Sequence, residues 1–269
     1  MTPLIKAGFL NSEISRYWEL LQVLVKRNIN TRYRGSLLGV YWSLMTPIIM
    51  TGLYTVIFGT TFEKYYDNST IEYLLAAFTG LVVINFYNSS TSQALASIVY
   101  NGALLNKVKL PLSIFPLSMI ASNVIQLFMG PLPLLLIVTA VRSHMSVLNI
   151  LALPLPLIAL ILVCTGVGFV LSALYVFFRD LSYFYEVLCF VIWIASPVFY
   201  PAIIVPERAR QFLILNPLLP IIESIRQIAL SGQLPDLSLI GQSWLSGIII
   251  LVLGWSCFRL WKANFMDLL

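Results

Sequence analysis

Residues 26–47 read KRNINTRYRGSLLGVYWSLMTP: basic residues at Lys26, Arg27, Arg32 and Arg34, a Tyr33-Arg34-Gly35 turn, then an apolar run that opens on Leu37. Upstream, apolar residues recur at Ile14, Tyr17, Trp18, Leu21, Leu24 and Val25, a spacing of three and four that makes one helical stripe. A helix of this kind lies in the headgroup layer, with Tyr17 and Trp18 as interfacial anchors and the basic residues toward lipid phosphate. The stretch therefore predicts an amphipathic surface helix that turns directly into a first membrane span, Leu37 to Phe58.

The rest of the chain agrees. It is 59% hydrophobic and 10% charged, with a mean hydropathy of +0.90, which no soluble domain carries without a large apolar surface. A hydrocarbon core about 30 Å thick needs about 20 apolar residues per helix. Charge-free runs between Arg34 and Glu63, Glu72 and Lys107, Lys109 and Arg142, Arg142 and Arg179, Glu186 and Glu207, and Asp236 and Arg259 predict six transmembrane helices. The fold class is thus an all-α integral membrane protein, with one domain over 1–269. It divides into a cytoplasmic and interfacial part (1–34), a six-helix region (35–260) and a cytoplasmic tail (261–269).

Six spans return both termini to one side, and the Lys/Arg distribution chooses the side. With both termini inside, Lys6, Arg16, Lys26, Arg27, Arg32, Arg34, Lys107, Lys109, Arg179, Arg259 and Lys262 are cytoplasmic, against Lys64, Arg142, Arg208, Arg210 and Arg226 outside, eleven to five. The opening residues MTPLIKAGFLNSE lack the apolar core of a removable signal, so the N-terminus is expected to stay. The net charge of +5 is spread over short loops at membrane edges, which anionic lipid explains better than nucleic acid.

Between the fifth and sixth spans, 211–222 is too short to cross and carries Pro217 and Pro220. From Leu219 to Ser231, residues Ile221, Ile222, Ile225, Ile228 and Ala229 form one face opposite Glu223 and Gln227, with Gly232 as a stop. One or two short re-entrant or interfacial helices on the outer side are expected there, buried in protein or lining a watery path.

Catalytic chemistry is hard to find. Runs 73–106, 110–141 and 143–178 hold no carboxylate, and no GxxxxGK[ST] phosphate loop occurs. Cys164, Cys189 and Cys257 lie unpaired in apolar runs and His144 stands alone, so no metal site is expected. Acids near a span, Asp180 and Glu186, sit at its cytoplasmic end, which argues against an ion-coupled carrier. Any ATP and Mg must be bound by a partner chain.

The order of motifs resembles the permease subunits of type-2 ABC exporters for polysaccharide and polyol phosphate. The similarity runs through Arg32-Tyr33-Arg34-Gly35-Ser36-Leu37-Leu38-Gly39, Trp42-Ser43-Leu44 and Pro47, then Asn101, Leu104, Leu105, Lys107, Pro111 and Ile114-Phe115-Pro116-Leu117. It ends with Phe178-Arg179-Asp180 and Asn216-Pro217-Leu218. The resemblance implies a second copy of the chain, two separate ATP-binding cassette subunits and a lipid-linked surface polysaccharide such as O-antigen, capsule or teichoic acid, moved across a bacterial inner membrane. It implies that Asn101 to Pro111 is the ATPase-coupling segment, with Leu104 and Leu105 entering a partner groove and Lys107 and Lys109 meeting acidic rim residues. Topology alone would also explain those lysines.

A sugar polymer needs a path with aromatic faces for stacking. Tyr41, Trp42, Tyr54, Phe58, Phe86, Tyr87, Trp193, Phe199 and Tyr200 are the candidates by position, although Trp and Tyr also form ordinary interfacial belts. Arg208, Arg210 and Arg226 are candidate outer contacts for lipid phosphate. A small-drug or lipid exporter is the alternative within transport. From another class, a membrane-embedded glycan-processing enzyme would use Glu207, Glu223 and Asp236.

Overall fold

A computed structural model describes residues 3–105, 110–143, 147–233, 235–262 and 265, without the side chains of 3–14, 209, 212 and 214. Every regular element among them is helical. Helix α1 spans Pro3–Arg32 and breaks at Gly35, whose φ of 78° is a left-handed value that glycine adopts without a Cβ clash. After a short 3₁₀ turn at Gly39–Tyr41, α2 runs Trp42–Phe62. The first span thus starts a few residues later than its apolar run.

A left-handed pair, Asp67 and Asn68, reverses the chain into α3, Thr70–Tyr100, where the Ser69 hydroxyl caps Glu72 N. Helix α4 is the single turn Gly102–Leu105. The expected third span is two helices, α5 (Ile114–Met129) and α6 (Pro131–Arg142), bent by 45°. Pro131 supplies no N–H to continue α5. A Cβ on Gly130 would collide with the Ser43 hydroxyl of α2, so the bend is also where α2 leans in.

Helix α7 (Val147–Ala152) leads into α8 (Pro154–Phe177), followed by α9 (Leu181–Ala195). Two short helices, α10 (Glu207–Ile214) and α11 (Leu218–Leu230), precede α12 (Leu237–Trp261), which Asp236 caps at Ser238 N, 2.8 Å away. Among the described residues the segments Gly39–Tyr65, Thr70–Tyr100, Val147–Phe177 and Leu237–Trp261 are long and apolar enough to cross a membrane, and the bent α5–α6 pair counts as a fifth when taken as one span. Helix α9, with 15 residues, is only about 22 Å long at 1.5 Å per residue, short of the hydrocarbon thickness. The chain then breaks at Ser196, Pro197, Pro201 and Pro206.

Two main apolar clusters, with a small third around Leu95, Leu171 and Tyr185, hold the bundle. The larger joins α3, α5, α6, α8 and α11, and the predicted face of α11 supplies Ile221, Ile222, Ile225 and Ile228 to it. The smaller gathers Leu24 of α1, Leu105, Ile114, Phe169, Phe258 and Phe265, so α1 and the end of α12 meet at one end of the molecule. The α8–α12 seam depends on glycine. A Cβ on Gly254 would strike the Gly166 backbone, one on Gly166 the Ile250 carbonyl, and one on Gly247 would sit 3.0 Å from Ala159 O. Gly168 faces the other way, toward Ala94 and Ile120.

Candidate translocation surface and partner-facing end

At the end where α1 and the close of α12 meet, α1 is stitched to its neighbours by polar bonds. Arg27 Nη2 donates to Asn101 Oδ1 at 2.7 Å, and Asn28 Nδ2 donates to Ser118 Oγ at 3.1 Å. Arg32 Nη1 donates to Asn123 Oδ1 at 3.1 Å and to Gln126 Oε1 at 2.6 Å. Asn101 Nδ2 in turn donates to Ser97 O at 2.7 Å. A displacement of α1 is therefore felt at the end of α3 and along α5. Lys26 and Arg34 are exposed. Trp18 is 58% exposed, because the docked face of α1 is Tyr17, Leu20, Leu21, Leu24 and Val25 and turns Trp18 outward.

The proposed coupling segment is described as far as Leu105. Leu105 is 8% exposed and Leu104 packs on the same apolar cluster, so both leucines are part of this chain's own core rather than projecting from it. The reason is local: the one-turn helix α4 closes with Leu104 N and Leu105 N on Asn101 O and rolls their side chains inward. What it presents outward is Tyr100, 78% exposed, and Ala103. Lys107 and Lys109 lie outside the described residues.

At the opposite end, five of the nine aromatic candidates come together. Tyr54 stacks on Phe199 with ring centroids 4.5 Å apart and on Phe58 at 6.2 Å, while Trp193 tilts against Phe199 at 4.8 Å and against Tyr54 at 6.1 Å. Tyr200 meets the edge of Phe199 at 6.4 Å. Phe62, Tyr66, Tyr73 and Phe190 extend the group and were not anticipated. The other four candidates are elsewhere. Tyr41 and Trp42 are exposed beside the α1 turn, and Phe86 and Tyr87 are buried in the main core. A two-residue step along a helix turns side chains about 200° apart, and membership of the same span could not separate these cases.

The backbone that carries Phe199 is unusual in its support. Ser196, Pro197 and Val198 are buried outside any helix. Arg226 Nη2 of α11 donates to Ala76 O at 3.2 Å, Pro197 O at 3.0 Å and Val198 O at 3.3 Å. Tyr73 Oη donates to Phe199 O at 3.0 Å, Asn216 Nδ2 to Ser196 Oγ at 2.9 Å, and Gly80 leaves only 3.0 Å between its Cβ position and Val198 Cα. The guanidinium of Arg226 is thus directed inward, at the Pro197 and Val198 carbonyls that lie outside any helix and at the Ala76 carbonyl of α3. Arg208 and Arg210 are exposed on α10. Arg210 shares an open cavity with Glu72, Arg142, Glu223 and Arg226, where Glu72 and Arg142 form an ion pair. Burial pushes the Glu223 carboxyl up from its ordinary value, opposed by Arg226 and Arg210.

Among the described residues no group of three or more His, Cys, Asp and Glu is placed to hold a metal. Of the enzyme candidates, Asp236 is engaged in capping α12, and Glu207 is the exposed first residue of α10.

Known proteins extend this picture. The sequence profile described as ABC-2 type transporter matches residues 19–230. The chain is 28% identical to an O-antigen export system permease protein RfbA of Klebsiella pneumoniae over 253 residues, 94% of this chain and 95% of that one. It is 28% identical to RfbA of Myxococcus xanthus, covering 83% and 85% of the two chains. To the polysialic acid transport protein KpsM of Escherichia coli it is 23% identical, over 89% and 92%. With its helical bundle, apolar spans and profile match from the α1 stripe to the end of α11, the chain belongs to the ABC-2 type transporter family.

Proposed function

We propose that this chain is the membrane half of an ATP-driven exporter that moves a lipid-linked, O-antigen-like surface polysaccharide out across the bacterial inner membrane. The observation that carries the reading is end-to-end similarity to O-antigen and polysialic acid permeases, and the Tyr54, Phe58, Trp193, Phe199 and Tyr200 group supports it. Flat rings stack on pyranose faces without fixing register, so a polymer slides past them. The working assembly in this reading is two copies of the chain with two ATP-binding cassette subunits, which bind the ATP and Mg.

The chain acts as one transmembrane unit with both termini in the cytoplasm. Helix α9 and the broken segment after it form the fifth crossing and α12 the sixth, and α10 and α11 form the outer re-entrant pair between them. Closure of the ATPase pair on ATP pulls α1 and the 101–111 segment, and the Arg27–Asn101 and Arg32–Gln126 bonds pass that pull to α3 and α5. Arg208 and Arg210 meet lipid phosphate at the outer face.

Deleting the chain should leave lipid-linked polymer on the cytoplasmic side and none at the surface, with both restored by the chain plus an active ATPase. Surface polymer that persists after deletion, or restoration with an ATPase lacking its phosphate-loop lysine, would overturn the reading.

A further inference from the structure

Beside the end of α1 lies a half-open cavity of about 350 Å³ between α2, α3 and α5, within the range of about 300–1,000 Å³ usual for small-molecule sites. Arg32 and Gln126 line it and also line a second cavity of about 400 Å³ behind them. What is unusual is its polar wall. Gln126 is 7% exposed, and its Oε1 accepts from Arg32 Nη1, which a flipped amide could not do. Gln126 Nε2 is therefore a donor, and it has no partner. Asn85 and Asn88 each bury one amide atom that has no partner, and with no hydrogen bond to fix its orientation each amide can turn to donate or to accept.

Neighbouring Asn123 shows what satisfaction looks like here: its Nδ2 donates to Gln93 Oε1 at 3.2 Å and Met119 O at 2.9 Å, while its Oδ1 takes Arg32. Arg32 itself is met by amide oxygens, and the one ion pair among the described residues is Glu72–Arg142. The cavity thus presents the unmet Gln126 N–H donor and the unmet amides of Asn85 and Asn88 in the field of a cation that no carboxylate neutralises among the described residues, with Trp42 in its lining. Polar groups buried midway along an apolar helix carry a desolvation cost unless something completes them.

We propose that this cavity binds the phosphorylated sugar head of the lipid-linked substrate, an inference that rests on the polysaccharide reading above. Phosphate oxygens accept from Asn85 Nδ2 and Gln126 Nε2 near Arg32, and a sugar hydroxyl donates to Asn88 Oδ1. The polar groups named all come from one chain and include Arg32 at the end of α1, so the occupancy of the site and the position of α1 are linked.

The test uses the full complex with its ATPase in lipid nanodiscs and a short-chain isoprenyl diphosphate carrying one hexose as probe. Wild type should bind it saturably, and Asn85→Leu and Gln126→Glu should each weaken binding at least tenfold. The second change keeps the shape and gives Arg32 a full counter-charge, so its melting temperature should hold or rise. Asn88→Leu should keep affinity for the bare isoprenyl diphosphate while losing the preference for the hexose-bearing form. Equal affinity in wild type, Asn85→Leu and Gln126→Glu would mean that water alone fills the cavity, and the proposal would fall. It would also fall if inorganic phosphate or phosphatidylglycerol displaced the probe as well as unlabelled probe does. Polymer export assayed in cells separates the two readings: binding that follows the cavity in a complex exporting no polysaccharide sinks the function and leaves the site, whereas export with cavity-independent binding does the reverse.

Discussion

Tyr54 touches three other rings, and its stacking on Phe199 at 4.5 Å ties α2 to the broken segment after α9. Its contribution is the ring. Tyr54→Phe should therefore retain export, whereas Tyr54→Ala should lower it about tenfold or more; aromatic pairs contribute about 0.5–1.5 kcal/mol beyond burial, and the sliding surface is interrupted as well. Surface polymer per unit of membrane protein measures both. Equal loss in the two variants would place the role in the hydroxyl and count against stacking. Residue types in this group were legible in the sequence, but their meeting was not, because it depends on where the chain breaks after Ala195. Arg226 illustrates the same limit: a lone arginine reads as an outer charge until three carbonyls are found in front of it.

Among the elements, the α8–α12 seam is closed by Gly166, Gly247 and Gly254, with backbone against backbone. Small residues let membrane helices approach where no hydrophobic drive separates protein from lipid. Gly254→Ala should cost about 1–3 kcal/mol through overpacking and lower the melting temperature of the detergent-solubilised complex, while Gly241→Ala, which meets nothing within 4 Å, should not. Matching losses at the two positions would refute close packing as the cause. The face of α11 was readable because period and burial coincide there: Ile221, Ile222, Ile225 and Ile228 are all in the core. The inward roll of Leu104 and Leu105 was not, since a single turn has no period to read. Substituting those leucines would disturb this chain's own core, so Tyr100 and Ala103 are the better positions for testing contact with the ATPase.

For the whole molecule, the middle of α1 and the close of α12 gather at one apolar cluster and the aromatic group lies at the other end. In a background with Cys164, Cys189 and Cys257 replaced, Ser36→Cys in the α1–α2 turn and Asp67→Cys in the α2–α3 turn should take an impermeant thiol reagent from opposite faces, Ser36 in inverted vesicles and Asp67 in intact cells. Labelling of both positions from one face would reject the topology. Composition made the membrane class legible, and charge counts made the orientation an expectation. The shortness of α9 escaped both, because Pro197 and Pro201 shorten the helix without interrupting the apolar run.

The stretch from Ser196 to Phe199 has a further consequence. A helical wall is held by a ladder in which each rung supports the next, so it opens all together or not at all. Here the carbonyls are held by side chains arriving from α3 and α11. Such holds can be released one at a time, each at about 0.5–1.5 kcal/mol, rising to about 1.5–3 kcal/mol for the charged donor. In the proposed path this part of the wall is built like a laced seam, able to loosen by degrees around cargo of varying width and draw shut again while the helices on either side keep their shape.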